Sequence, residues 1–62
     1  MKTEYKIIVD LIEEKTRVLD VGCDDGTLME SLKKNKNVDA RGIEISKDKV
    51  QTCVSKGLTV IE

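Results

Sequence analysis

Arg17-Val-Leu-Asp-Val-Gly-Cys-Asp-Asp-Gly26 is the stretch on which the fold turns. Val18, Leu19 and Val21 make a short apolar strand that runs directly into a turn bracketed by Gly22 and Gly26. A helical pattern starts at once. Strand, tight glycine turn and helix is the arrangement by which α/β proteins build a nucleotide or cofactor pocket. Eighteen residues after Gly26 comes Glu44, at the end of a second apolar stretch, Arg41-Gly-Ile-Glu-Ile45. An acidic residue about 20 residues beyond the turn is placed to accept hydrogen bonds from ribose hydroxyls. The glycine turn alone says little; the turn and the acidic strand end together point to a ligand.

Outward from this stretch the chain alternates. Residues 3–14 have helical spacing of Tyr5, Ile8, Val9 and Ile12, widened by Ile7 and Leu11, with Thr3 as expected cap. Residues 17–21 form the first strand, apolar enough to be buried on both faces. The helix from Gly26 to about Asn35 turns Leu28, Met29 and Leu32 inward, and Asn35-Lys-Asn37 reads as a break. Residues 38–45 hold the second strand. Gly42 interrupts it, as glycine does where another group approaches closely. Ser46 caps a third helix on which Val50, Cys53 and Val54 should face the sheet, and Gly57 suits its C-terminal end. Leu58-Thr-Val-Ile61 is a third strand. The α-β-α-β-α-β order with short connections implies a parallel sheet with right-handed crossovers. The expected architecture is a truncated Rossmann-like α/β fold: three parallel strands, spatial order 3-2-1, with helices on its faces.

Composition narrows the function. Sixty-two residues make at most one small domain, 1–62, which buries only about 60% of its unfolded surface. Tyr5 is the single aromatic residue and there is no His, so one common general base and metal ligand is missing. Eleven basic and 12 acidic residues argue against a dedicated nucleic-acid binder. Lys33, Lys34 and Lys36 read as a solvated helix end, where Lys favours the helix dipole. Cys23 and Cys53 cannot complete a four-ligand zinc site, and two cysteines with no signal peptide fit a reduced, cytoplasmic setting. No apolar run approaches the roughly 20 residues of a membrane span.

Val18-Leu-Asp-Val-Gly-Cys-Asp-Asp-Gly26 resembles motif I of class I S-adenosylmethionine-dependent methyltransferases, and Gly42-Ile-Glu-Ile45 resembles their second motif. The closer likeness is to the N-terminal part of the MetW family of methionine biosynthesis. It rests on the Arg-Val-Leu-Asp lead-in, Gly-Thr-Leu at the helix start, Arg41-Gly-Ile-Glu-Ile-Ser46 and Val50-Gln-Thr-Cys-Val-Ser-Lys-Gly-Leu-Thr-Val-Ile61, and covers nearly the whole chain. The resemblance implies a cofactor site in which Asp20, Gly22 and Gly26 line the methionine end. Cys23 and Asp24 lie in the same turn, Glu44 binds the ribose hydroxyls and Ile45 packs beside the adenine. It also implies a homoserine acyltransferase as partner. It identifies no catalytic residue.

Two departures stand out. Position 24 carries Asp where the family pattern Gly-x-Gly-x-Gly has Gly; Asp tolerates left-handed backbone better than most residues, but worse than Gly. The chain also lacks the strands beyond the third, so the domain is expected to be incomplete, inactive alone, and exposed along the edge of residues 17–21. Two copies could pair there, or helix 3–14 could cover the edge.

Charge separates two ligand classes. Asp20, Asp24 and Asp25 all sit at or near the turn. A pyrophosphate would meet three carboxylates, each worth roughly 1 kcal/mol of repulsion at contact distance even in water. The sulfonium and ammonium groups of S-adenosylmethionine would be attracted. Asp25 serves equally well as a helix cap. Cys23 has no His partner and reads as a small, partly buried filler, not a nucleophile. Three functions stay open: a cofactor-binding enzyme domain completed by another chain, a non-enzymatic interaction module, and a fragment without function of its own.

Overall fold

The computed structural model describes residues 2–62; Met1 of the expected 1–62 domain lies outside the described residues. The elements are α1 (Thr3–Leu11), β1 (Arg17–Val21), α2 (Thr27–Lys36), β2 (Asp39–Ile43), α3 (Lys47–Ser55) and β3 (Thr59–Ile61). All strand pairs are parallel. Val18 lies beside Ala40 and Asp20 beside Gly42, while Arg41 lies beside Thr59 and Ile43 beside Ile61. The sheet order is β1-β2-β3, with β2 central; from the other edge it reads 3-2-1.

The helices do not cover both faces of the sheet. Two right-handed crossovers that step in the same direction put α2 and α3 on one side. There α2 packs on β2, α3 on β3, and α1 on α2. Ala40 and Gly42 are therefore buried and Val18 half-buried, while their strand neighbours Leu19 and Val21 are 61% and 74% exposed. The expectation that β1 is buried on both faces is overturned. Its apolar run lacks alternation in composition, yet it acquires alternation in burial.

The core is correspondingly thin. Val9, Cys23, Met29, Leu32, Val38, Ala40, Cys53 and Leu58 form it, and Met29, Leu32 and Cys53 are its largest fully buried side chains. Of the three α3 residues expected to face the sheet, Cys53 is buried and Val50 half-buried, but Val54 points outward.

The helix ends show which local signals operate. Lys2, not Thr3, takes the extended conformation before α1, so Thr3 is its first helical residue and makes no cap. α1 stops at Leu11 rather than continuing to 14, because Ile12 turns extended and Lys15 adopts a φ of 63°. Ser46 caps α3 as expected, its Oγ accepting the N–H of Lys49 at 3.4 Å. Gly57, at φ 79°, closes α3 with a Schellman arrangement. In it the Leu58 N–H donates to the Cys53 carbonyl and the Gly57 N–H to the Val54 carbonyl.

Candidate functional site

The parallel register brings the β1–α2 and β2–α3 connections side by side at the C-terminal ends of the strands. This is where open α/β sheets place their ligands. The first connection, residues 22–26, is compact because three of its residues adopt left-handed backbone: Gly22 at φ 73°, Asp24 at 54° and Gly26 at 84°. The Gly22 and Cys23 N–H groups both donate to the Ile43 carbonyl, at 2.8 and 3.1 Å, which fastens the turn to the end of β2. Gly26 has a second reason to be glycine. A Cβ there would run into Leu58 and stand 3.0 Å from the Cys53 sulfur. At Gly22 a Cβ would meet nothing, so the space beside it is open and only its φ demands glycine.

Glu44 ties the two connections together. Its Oε1 accepts the N–H of Asp24 at 2.8 Å, and its Oε2 accepts the N–H of Ser46 at 2.9 Å. The bond from Ser46, then that from Asp24, holds the Glu44 carboxyl below its ordinary value. The carboxylate is thus fixed and ionised. An ionised carboxylate offers about four lone-pair sites. The two backbone bonds use one on each oxygen and leave one on each.

The remaining expected residues fall around this centre. Asp20 stands half-buried on the helix-covered face beside Gly42, and burial pushes its carboxyl up. Cys23 is buried; its sulfur and that of Met29 pack over Gly42, where a Cβ would be 2.7 and 2.8 Å from them. This is the close approach that a glycine inside β2 signalled. The Cys23 thiol is pushed up to about 11, first by burial and next by the neighbouring Cys53. A protonated, buried thiol is a packing group. Ile45 is 88% exposed at the rim and touches none of these residues closely enough to be buried by them. Asp25 lies just before Gly26, the N-cap residue of α2, and bonds the first helical residue instead of capping as expected. Its Oδ1 accepts the Thr27 N–H at 3.0 Å and the Thr27 hydroxyl at 2.6 Å, and these bonds lower its carboxyl.

Three participants were not among the expected site residues. Lys49 forms an ion pair with Asp24 at 3.3 Å, and that carboxylate raises the lysine's own titration. Lys56 donates to the Asp25 carbonyl at 3.0 Å, and the Cys53 thiol to the Asp24 carbonyl at 3.2 Å. The spacing Ser46-x-x-Lys49 carried a usable signal for the first, since it sets Lys49 in the opening turn of α3, facing the glycine turn. Among the described residues no cluster of three or more His, Cys, Asp or Glu side chains could hold a metal ion, and no helix is long and apolar enough to cross a membrane.

No curated protein matches the chain. The family model for methionine biosynthesis protein MetW matches residues 2–62, which takes in the glycine turn, the Glu44 tie and all three strands. With that match over nearly its full length, the chain belongs to the MetW family of methionine biosynthesis proteins.

Proposed function

We propose that residues 17–49 form the S-adenosylmethionine-binding part of a methyltransferase-type domain. The observation that carries this reading is the Glu44 carboxylate, held by two backbone N–H groups with one acceptor site left on each oxygen. That is the form of acceptor a ribose cis-diol needs: two adjacent hydroxyls, two free lone pairs, and no side-chain reorganisation on binding. The surrounding donor set fits the rest of the cofactor. Open space beside Gly22 admits a ligand close to the backbone. Asp20 and Asp24 favour a cationic sulfonium and ammonium over a pyrophosphate. Ile45 supplies an exposed apolar surface beside which the adenine packs.

When bound, S-adenosylmethionine supplies an activated methyl group. The chain's own residues hold and orient it: Glu44 at the ribose, Gly22 and Gly26 by close backbone approach, Asp20 at the charged end. The reading is of a cofactor-binding unit, with no residue assigned to the chemistry on the acceptor. A second reading, an interaction module with a homoserine acyltransferase among its partners, draws support from the uncovered sheet face.

Calorimetric titration with S-adenosylmethionine and S-adenosylhomocysteine tests the first reading. Glu44→Ala should weaken either ligand by about tenfold or more, as expected for loss of charge-assisted bonds to two hydroxyls. Equal affinity in a Glu44→Ala chain with unchanged circular dichroism would rule the ribose role out.

A further inference from the structure

We propose that Cys23 and Cys53 form a reversible intrachain disulfide, driven by low-molecular-weight disulfides, that ties the glycine turn to α3. The two residues are far apart in the sequence and both are free thiols. The fold brings them together. Cys23 stands in the turn before α2, and the Gly26 N–H donates to its carbonyl at 3.1 Å. The Cys53 thiol, on α3, donates to the Asp24 carbonyl at 3.2 Å, one residue along from Cys23. A Cβ on Gly26 would stand 3.0 Å from the Cys53 sulfur, so that sulfur fills the hollow of the turn. Cys23 turns its own sulfur into the same core, over Gly42, and neighbours Cys53 closely enough to feel its charge.

While both thiols are protonated and buried they pack and do not react. Exchange therefore proceeds through opened chains, in which the thiols regain an ordinary titration near about 8.5. One cysteine thiolate attacks a sulfur of oxidised glutathione. A mixed disulfide forms, and the first glutathione leaves as a thiolate that takes up the proton given by the cysteine. The second cysteine, losing its proton in turn, attacks the protein sulfur of the mixed disulfide and releases the second glutathione. Two protein thiols are oxidised and one glutathione disulfide is reduced to two thiols. The closed fold favours the product, because it already holds the two sulfurs as neighbours and the bond removes freedom from the unfolded chain. In reducing surroundings such a bond is transient and follows the oxidant. The tie reaches the candidate site as well. Oxidation takes the hydrogen that the Asp24 carbonyl accepts, and the N–H of the same residue is bonded to Glu44.

The experiment is redox equilibration of the full chain in mixtures of reduced and oxidised glutathione, approached from both directions, quenched with acid and read by mass spectrometry. As the chain has two cysteines, an intrachain bond can only join this pair. The expected product is two hydrogens lighter than the reduced chain and carries no glutathione. The effective concentration of the two thiols, read from the same equilibrium, should be at least about tenfold higher in buffer than in about 6 M urea. By the same linkage the urea midpoint of the oxidised chain should lie about 1 M or more above that of the reduced chain. In NMR spectra the Asp24 and Asp25 amides should move on oxidation, because the carbonyl between them loses its donor. The proposal is overturned if glutathione adducts or disulfide-linked dimers form in place of the intrachain bond, or if the effective concentration is no higher in buffer than in urea. An oxidised chain with an unchanged or lower midpoint overturns it too, since the fold would then oppose the bond. Unmoved Asp24 and Asp25 amides would overturn the tie to the turn.

Discussion

Replacing Gly42 by alanine tests how the site is anchored. Gly42 has ordinary backbone, so nothing in φ forbids a side chain; only space does. An added Cβ would stand 2.7 Å from the Cys23 sulfur, 2.8 Å from the Met29 sulfur and 3.1 Å from the Cys23 Cβ. The Met29 side chain has no exposed surface and Cys23 is 5% exposed, so neither sulfur can swing into solvent. Overpacking of this kind costs about 1–3 kcal/mol, and with two sulfurs displaced at once a loss of about 2 kcal/mol is expected. A chain of this length is stable by roughly 3–9 kcal/mol, so the loss is a large share of the total. In urea unfolding followed by circular dichroism, with a slope of about 1 kcal/mol per molar, the midpoint should fall by about 2 M. The double variant Gly42→Ala with Cys23→Ala should recover part of it, since removing the sulfur opens the 2.7 Å contact. A coupling of at least about 1 kcal/mol between the two sites is expected. A loss below about 0.5 kcal/mol for Gly42→Ala, or strict additivity in the double variant, would refute the packing argument.

The Glu44 tie has a pH signature. Its folded carboxyl titrates below the ordinary 4.5, so its bonds are fully present above that value and are lost as pH falls through the lower folded one. The amide protons of Asp24 and Ser46 should move together in an acid titration by NMR, with one midpoint below 4.5; separate midpoints, or one at the ordinary value, would sever the two bonds from Glu44. Asp24→Gly exchanges a strained left-handed residue for one that adopts φ 54° freely, while it loses the Lys49 pair and gains unfolded-state entropy. Stability should stay within about 1 kcal/mol of the wild type, and S-adenosylmethionine should bind more tightly in calorimetry, because the room opened beside the turn outweighs the loss of an attractive carboxylate. Weaker binding would make the Asp24 carboxylate a ligand contact.

Much of this architecture was legible because it is written in short-range chemistry. The Arg17–Val21 strand, the Ser46 cap and the Gly57 closure each depend on a few neighbouring residues, and each is found where the sequence reading set it. The departure at position 24 was legible too, since Asp is among the few residues that enter the left-handed region there. What failed depended on the whole chain. Whether Leu19 is buried is decided by the direction of two crossovers, which no local pattern records. Thr3 caps nothing because α1 begins one residue earlier than expected, with Lys2 at the N-cap position and no side-chain bond there. The candidate site was legible as a set of residue types, but its internal bonds were not. Glu44 was assigned to a ligand from its position alone, and its partnership with the Asp24 and Ser46 amides came from the structure.

The sulfur content of the core has a chemical consequence. Two of the three largest fully buried side chains, Met29 and Cys53, carry sulfur, and Cys23 adds a third such atom over Gly42. While the fold is closed, these atoms are polarisable fillers that adapt to tight, irregular space. They are also the atoms an oxidant attacks first once the chain opens. A sulfoxide on Met29 or a sulfenic acid on either cysteine would return a larger, more polar group to a tightly packed space. Oxidation during a transient opening would therefore hold the chain open until the sulfur is reduced again. The lifetime of the folded chain is set by the redox history of its surroundings as well as by its free energy of folding.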